Sequence, residues 1–147
     1  MRHRFSCGDF LIRNVIGLDP ETGAIAVAEE VAVGQTLQFH LRDADASREE
    51  LRRLLGQWGA SPRAGQPAGG LLFNCTGRGK ALYGTPHHDV KTIQTLSGKL
   101  PIGGCFCNGE IGPIGGVNLL HGYTASLGFF RPLRPASSKP VTDGGPG

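Results

Sequence analysis

Apolar and polar positions alternate along the first third of the chain, which predicts strands there. Residues 9–18 carry apolar side chains on both faces of the alternation, as in a strand that is covered on two sides. Turn residues follow at 19–23, where a proline presets φ and a glycine can take a positive φ. Residues 24–28 continue as a short strand, so we expect a hairpin, and the alternation over residues 37–42 predicts a third strand.

The spacing of the apolar residues then changes to the helical period in two segments. Ser47 and Glu50 fit a capping box, in which a hydroxyl and a carboxylate satisfy free amide donors at a helix start. Thr85 and Pro86 fit the N-cap and first position of a second helix, and Gly98 can end it. The apolar stripes expected to face the core are Leu51, Leu54, Leu55 and Trp58 on the first helix and Val90, Ile93 and Leu96 on the second.

Further strands are predicted over residues 71–75, 100–107 and 119–130. Because strands precede and follow the helices, the fold class is α+β, with a mixed or antiparallel sheet and two main helices packed against it. We expect one domain over residues 1–130. A flexible connector is predicted at residues 59–70, which are rich in glycine, proline and alanine.

The sequence also supports one prediction for each end of the chain. Residues 131–147 are rich in proline, glycine and serine and cannot build a core, so we expect a disordered tail. The first predicted strand begins within about ten residues of the start, with no helix or cap before it. This suggests either that the domain is N-terminally incomplete or that a partner covers the strand edge.

Composition narrows the classes of function. The 147 residues carry a net charge of +3, and no run of Lys and Arg interleaved with aromatics is present, which argues against nucleic-acid and membrane partners. No apolar run approaches the ~20 residues that span a bilayer. No apolar stretch follows the basic N-terminal residues, so a secretory leader is not predicted. The four cysteines are therefore expected to be reduced thiols in a cytoplasmic protein.

The thiols raise two chemical alternatives. Cys7, Cys75, Cys105 and Cys107 could supply zinc ligands, but the C-x-C spacing and the lack of a second close pair depart from the usual zinc pattern. Small buried thiols are favoured, and neither a metal nor another cofactor is expected. Cysteine catalysis would need Cys75 to meet His121, which the spacing does not demand. We expect no enzymatic activity, with a reactive Cys75 or Cys105 as the alternative.

Two glycine-rich stretches carry the polar chemistry. Residues 77–80 follow a strand, but an alanine stands where a phosphate loop needs its magnesium-binding Ser or Thr. A tight turn between strands explains these glycines, although Arg78 and Lys80 could bind a small carboxylate or phosphate. In the second stretch, Glu110 either accepts backbone hydrogen bonds or binds an ammonium group. His121 is either a buried, hydrogen-bonded imidazole or a ligand contact, and the sequence leaves both pairs of alternatives open.

Three stretches together resemble a known family. Residues 8–27 (GDFLIRNVIGLDPETGAIAV), 69–90 (GGLLFNCTGRGKALYGTPHHDV) and 100–130 (LPIGGCFCNGEIGPIGGVNLLHGYTASLGFF) are similar to the C-terminal half of FIST proteins in residues, order and spacing. The combination FCNGEIGP with LHGYT is the most specific part. The resemblance covers nearly the whole chain apart from the connector and the tail.

The resemblance implies an intracellular sensory domain in signal transduction that binds a small ligand such as an amino acid. A branch of the family in F-box adaptors implies a protein-interaction module as the alternative. The family normally has an N-terminal FIST half, so that half or another protein chain is an expected partner besides the ligand. No catalytic residues or metal ligands carry over from the family.

The family motifs and the polar chemistry together give a candidate ligand site. We expect the two glycine turns to lie near one another at strand ends, with Arg78 binding the carboxylate and Glu110 the ammonium group of an amino acid. The hypothetical ligand-binding residues are Asn74, Cys75, Arg78, Asn108, Glu110 and His121. The residues expected to shape the turns are Gly77, Gly79, Gly109, Gly112 and Pro113.

Overall fold

The computed structural model describes residues 5, 8–61 and 65–132. Within these ranges the elements are β1 (Val15–Leu18), β2 (Ile25–Val27), α1 (Ala44–Gly59), β3 (Gly69–Cys75), a 3₁₀ turn (Thr76–Arg78), α2 (Lys80–Tyr83), α3 (His88–Ser97), β4 (Ile102–Cys107), β5 (Glu110–Ile114), β6 (Val117–His121) and β7 (Ala125–Phe130). The predicted tail (131–147) lies outside them from residue 133 onward. The predicted connector (59–70) is described in part, between the end of α1 and the start of β3.

A mixed three-stranded sheet organises the fold. Its strand order is β4-β3-β7, with β3 parallel to β4 and antiparallel to β7. The parallel pair requires a crossover, which the 3₁₀ turn, α2 and α3 provide. Two antiparallel hairpins, β1-β2 and β5-β6, complete the described strands. The predicted α+β class with a mixed sheet is confirmed.

The core lies between one face of this sheet and the helices α1 and α3. Leu51 and Leu55 from α1, Leu72 from β3 and Ile93 from α3 form the buried cluster. The rings of Trp58 and Phe129 meet at 4.4 Å and extend the contact between α1 and β7. Leu51 and Leu55 confirm the predicted stripe on α1, and Ile93 confirms that on α3, whereas Leu54 and Leu96 are exposed. The sheet therefore covers only part of each stripe.

The opposite face of the sheet carries apolar side chains that remain accessible. Because side chains alternate along a strand, Leu71 and Phe73 of β3 point away from the helices, and both are more than a third exposed. Phe130 of β7 shares this face and is 57% exposed. We refer to Leu71, Phe73 and Phe130 as the open face of the sheet.

The N-terminal strands are shorter than the alternation predicts. The hairpin of β1 and β2 is confirmed, but β1 begins at Val15, and Val15 and Ile16 are exposed instead of covered on two sides. Residues 37–42 form no strand, and Leu41 is exposed. A strand needs a neighbour for its backbone groups, and among the described residues β1 and β2 pair only with each other. The prediction of a third strand at 37–42 was wrong for this reason.

The predicted capping box of α1 was also wrong. The helix begins at Ala44, and Asp43 is its N-cap, with its carboxylate accepting a hydrogen bond from the Ala46 N–H at 2.8 Å. Asp is as good an N-cap as Ser, and here it stands one turn earlier. Ser47 therefore lies inside the helix, where its hydroxyl is free for a tertiary contact.

The start of α3 differs from its prediction as well. The helix begins at His88 after the N-cap His87, which has φ of 60°. This left-handed residue separates Pro86 from the helix, so Thr85 and Pro86 belong to the preceding loop. Gly98, with φ of 90°, ends the helix as predicted.

The final predicted strand (119–130) is two strands. Gly115 and Gly116 both have positive φ and form the tight turn of the β5-β6 hairpin. Tyr123, with φ of 60°, then lies in the turn between β6 and β7. The second glycine-rich stretch is thus mostly hairpin rather than a loop.

We expect Ile93→Ala to lower the free energy of unfolding by about 2–5 kcal/mol, because it leaves a cavity at the centre of the core. Ile93 is 0% exposed, whereas Leu96, one turn further along α3, is 53% exposed. Leu96→Ala is the matched control and should stay within about 1 kcal/mol of the wild type. Urea unfolding followed by circular dichroism measures both, and equal losses would contradict the placement of the core.

Candidate functional site

A cleft of about 550 Å³ lies between the helix-covered face of the sheet and the first turn of α3. Its base is formed by β3 and β4, whose parallel pairing brings both carboxyl ends to the same edge. Residues of the crossover between β3 and α3 close one side. Ligands of open α/β sheets bind outside the carboxyl ends of strands, so this cleft is the candidate functional site.

A buried ion pair forms the polar end of the cleft. Asp89 in the first turn of α3 accepts two hydrogen bonds from Arg78, from Nε to Oδ2 at 2.9 Å and from Nη2 to Oδ1 at 3.3 Å. Asn74 Nδ2 donates to the same carboxylate at 3.1 Å. Both charged side chains are more than nine-tenths buried. The two-pronged geometry compensates both charges and fixes the end of β3 to α3.

The ion pair continues into a network that reaches α1. Arg78 Nη1 donates to Ser47 Oγ at 2.7 Å, and this oxygen lies 3.0 Å from Tyr83 Oη. Burial raises the pKa of Tyr83 more than the Ser47 hydrogen bond lowers it, so the phenol stays protonated at neutral pH. His88 stacks on Tyr83 with ring centroids 3.9 Å apart, and its Nδ1 lies 3.0 Å from Asp89 Oδ1.

The rest of the cleft wall is apolar. Leu72, Val90 and Ile102 line it from β3, α3 and β4. Phe106, near the end of β4, also lines it and is 59% exposed. Gly104 in the same strand has φ of 146°, and a Cβ there would overlap the carbonyl oxygen of Leu72. Only glycine allows the two strands to approach this closely at the cleft.

The rim of the cleft carries donors that could meet an anion. Lys80 lines it, together with the hydroxyl-bearing Thr76 and Thr85. The first turn of α3 also faces the cleft, and its N-cap His87 provides no side-chain hydrogen bond to the helix. The free N–H groups at a helix start carry partial positive charge, which favours negative groups.

The structure brings together only part of the predicted ligand set. Asn74 and Arg78 line the cleft. Cys75 is buried, and its side chain points to the opposite face from Asn74. Asn108, Glu110 and His121 do not line the cleft. His121 belongs to the β5-β6 hairpin, and its Nε2 lies 2.9 Å from the Gly112 carbonyl oxygen.

Glu110 is held inside the hairpin region. It is 2% exposed, and its Oε2 accepts hydrogen bonds from the Thr124 hydroxyl at 2.9 Å and the Thr124 N–H at 3.3 Å. This carboxylate thus ties β5 to the turn before β7. Arg78 and Glu110 are each engaged in separate buried contacts, so the structure does not form the expected pair of free opposite charges.

The predicted turn residues fall into two groups. Gly77 lies in the 3₁₀ turn, Gly79 precedes α2, and Gly109 lies between β4 and β5. Gly112 and Pro113 were predicted to shape a turn but lie within strand β5. Proline is accommodated in a strand at the sheet edge, and β5 pairs with β6 alone among the described strands. The segment 77–80 is also not a turn between strands, since α2 follows it directly.

The thiols are only partly as predicted. Cys75 is buried, as expected of a small core residue. Cys105 is exposed and Cys107 is half-buried, so the prediction of buried thiols was wrong for this pair. Their strand lies at the sheet edge and pairs with β3 alone among the described strands. Cys7 lies outside the described residues, and the described residues hold no cluster of three or more His, Cys, Asp or Glu suited to a metal ion.

Sequence reasoning missed Ser47, Tyr83, Asp89 and Phe106 as members of the site. Asp89 could be seen only as an acidic residue in the first turn of a helix, which is a common and favourable surface position. Ser47 was assigned to a cap. Phe106 lies between two cysteines, and only the thiols were considered as site residues. Alternation along β4 places the Phe106 ring on the cleft side of the sheet.

Comparison with known families agrees with the resemblance found in the sequence. The FIST C domain family matches residues 1–113. The chain belongs to this family. FIST C domains are sensory domains of signal transduction, and the matched range contains every residue of the cleft described above.

Relatives of this FIST C domain include larger proteins. An uncharacterized protein of Mycobacterium tuberculosis is 51% identical over 123 residues, which is 84% of this chain and 32% of the relative. An uncharacterized protein of Mycobacterium bovis is 49% identical over the same share of each chain. The chain therefore spans about a third of the length of these relatives.

A weaker similarity extends to plants. An F-box/LRR-repeat protein of Arabidopsis thaliana is 31% identical over 85 residues, which is 56% of this chain and 16% of that protein. No solved structure matches the FIST C domain described here. Among the described residues, no helix combines the length and apolar character that crossing a membrane would need.

We expect Asp89→Asn to lower the free energy of unfolding by about 3–5 kcal/mol, because it leaves the buried Arg78 charge without a partner. The matched control is Asp45→Asn. Asp45 also pairs with an arginine, Arg48, at 2.6 Å, but its side chain is 88% exposed. A surface pair contributes only about 0–1 kcal/mol, so the control should be nearly neutral.

Chemical unfolding of the two variants measures the difference. Similar losses in both would show that the Arg78–Asp89 pair does not hold the cleft wall together.

Proposed function

We propose that this FIST C domain is a cytoplasmic, non-catalytic sensor that binds a small amino-acid-like carboxylate in the cleft. The observation that carries the proposal is the composition of the cleft, which combines an apolar wall with donors grouped at one end. The larger proteins in which such a domain occurs would convert ligand occupancy into an output.

The apolar wall suits the side chain or carbon skeleton of a ligand. Leu72 and Ile102 line the cleft and are buried or half-buried, and Phe106 lines it with a side chain that is 59% exposed. A volume of about 550 Å³ falls within the size range of small-molecule sites. An apolar pocket with a few convergent polar groups is the usual form of a metabolite site.

The polar end suits a carboxylate. The charge of Arg78 is balanced by Asp89, so the positive field that remains comes from Lys80 and the uncapped first turn of α3. Thr76 and Thr85 offer hydroxyl oxygens that can accept from an ammonium group. This arrangement replaces Arg78 and Glu110 as the expected contacts of the ligand and keeps the amino-acid-like ligand.

Binding without catalysis fits the same residues. Cys75 is buried, and His121 is engaged by a backbone carbonyl. The side chains at the polar end are held by one another in the network of Arg78, Asp89 and Ser47. Side chains that are held in place by ion pairs and hydrogen bonds support recognition of a ligand. Nucleophilic catalysis instead needs a thiol or hydroxyl beside a base.

We expect a thermal-shift screen against amino acids and related carboxylates to find a stabilising ligand. At about 100 times its dissociation constant, such a ligand adds ~2.7 kcal/mol to stability. Phe106→Ala should weaken binding about tenfold, because losing an aromatic contact costs on the order of 1 kcal/mol or more. Phe130→Ala removes a ring of nearly equal exposure from the open face and should leave the affinity unchanged.

Two results would contradict this proposal. One is a flat response of the wild type across the panel. The other is equal weakening by Phe106→Ala and Phe130→Ala, which would place the ligand outside the cleft.

A second candidate function is protein interaction, and the open face of the sheet favours it. Leu71, Phe73 and Phe130 present an accessible apolar surface, and such surfaces commonly mark contacts with other chains. The similarity to part of an F-box/LRR-repeat protein agrees with this reading. The occupant we propose is an N-terminal FIST half, either in the same polypeptide or on a second chain.

A further inference from the structure

The two thiols of β4 lie side by side. Cys105 and Cys107 are separated by one residue and point to the same side of the strand, with their sulfur atoms 3.6 Å apart. Neither is in a disulfide. The side chains of the pair lie on the open face, because Cys105 is in register with Phe73 and Cys107 with Cys75.

The pair is accessible to small reagents. The Cys105 side chain is exposed and Cys107 is half-buried. Strand β4 is at the edge of the sheet and pairs only with β3 among the described strands. An edge strand can bend more easily than a central one, since half of its backbone hydrogen bonds are not committed to a neighbour.

The two sulfurs are not equivalent. A hydrogen bond to Cys105 raises the pKa of the Cys107 thiol, and burial, the Cys105 charge, Glu110 and Cys75 raise it further. Cys107 therefore keeps its proton more firmly than an ordinary thiol does, and its sulfur lies within hydrogen-bonding reach of Cys105. The exposed Cys105 is the thiol that meets an incoming reagent first, and Cys107 is the second thiol.

We propose that Cys105 and Cys107 form a redox-active dithiol, which a low-molecular-weight disulfide oxidises to an intramolecular disulfide. The proposal does not depend on ligand binding in the cleft. It assigns a modification site to the open face of the sheet.

The reaction consists of two exchanges. The Cys105 thiolate attacks one sulfur of the small disulfide, whose S–S bond breaks and releases the first small thiolate. The Cys107 thiol then loses its proton and attacks the Cys105 sulfur, which forms the protein S–S bond and releases the second small thiolate. The two protons from the protein thiols end on the two small thiols. The protein dithiol is oxidised by two electrons, and the small disulfide is reduced by the same number.

The geometry predicts a disulfide that reopens readily. Alternate residues of a strand lie about 6.6 Å apart at ~3.3 Å per residue, near the upper limit of about 6.8 Å for Cα atoms joined by a disulfide. The sulfurs must also close from 3.6 Å to about 2.0 Å. Exposed and strained disulfides are easily reduced, and such bonds are typically regulatory rather than structural.

Incubation of the folded chain with glutathione disulfide, followed by acid quenching and tryptic mass spectrometry, tests the proposal. Cleavage after Lys99 leaves Cys105 and Cys107 in one peptide and places Cys7 and Cys75 in others. We expect that peptide to lose about 2 Da, the mass of two hydrogens, and to regain it with excess reduced glutathione. Cys107→Ser should stop at the mixed disulfide on Cys105, with one glutathionyl group attached.

Cys105→Ser is the matched variant and should form far less mixed disulfide on the remaining Cys107. Circular dichroism checks that both variants keep the fold, which the exposure of Cys105 favours. A second readout does not need oxidation, because phenylarsine oxide binds two neighbouring thiols. One equivalent should bind the wild type, and neither variant should bind it. The proposal is overturned if the peptide keeps two free thiols in excess glutathione disulfide. It is equally overturned if Cys105 forms only bonds between chains.

Discussion

The carboxylate of Asp89 is the point at which the cleft is assembled. Directly or through Arg78, it joins the end of β3, the 3₁₀ turn, the first turn of α3 and, by way of Ser47 and Tyr83, α1 and α2. Burial of a charge is costly unless the charge is paired and hydrogen-bonded, and Asp89 meets both conditions. This requirement holds the crossover against the end of β3, and these residues also line the cleft. The polar end of the cleft is therefore a structural constraint before it is a binding surface.

The sequence allowed the class of fold and the central elements to be predicted, because these depend on local periodicity. Leu51, Leu55 and Ile93 repeat at helical spacing and form the core, and the strand that contains Leu72 is a short apolar run. The length of a strand could not be predicted where it depends on whether another strand pairs with it. The alternation over residues 37–42 was as regular as that of a strand, but it has no described strand to pair with. The N-cap of α1 was predicted wrongly for a related reason, since Asp43 and Ser47 are equally suitable as caps by their chemistry alone.

The site was less predictable than the fold. The sequence identified Asn74 and Arg78, which line the cleft, but left Arg78 free for a ligand carboxylate, whereas it pairs with Asp89. A charge partner in space cannot be read from spacing when the two residues belong to different elements. Strand β4 illustrates the same limit, because its two thiols and Phe106 are neighbours in sequence but belong to opposite faces of the sheet.

The position of β7 has a consequence for synthesis of the chain. Strands β3 and β4 and the crossover between them are contiguous over residues 69–107, so they emerge from the ribosome before β7 does. Until then the edge of β3 that β7 will occupy has no partner, although β3 is central in the finished sheet. Unpaired edges of this kind attract other strands. The nascent domain is therefore most vulnerable to misassembly in the interval between completion of β4 and arrival of the residues around Leu127.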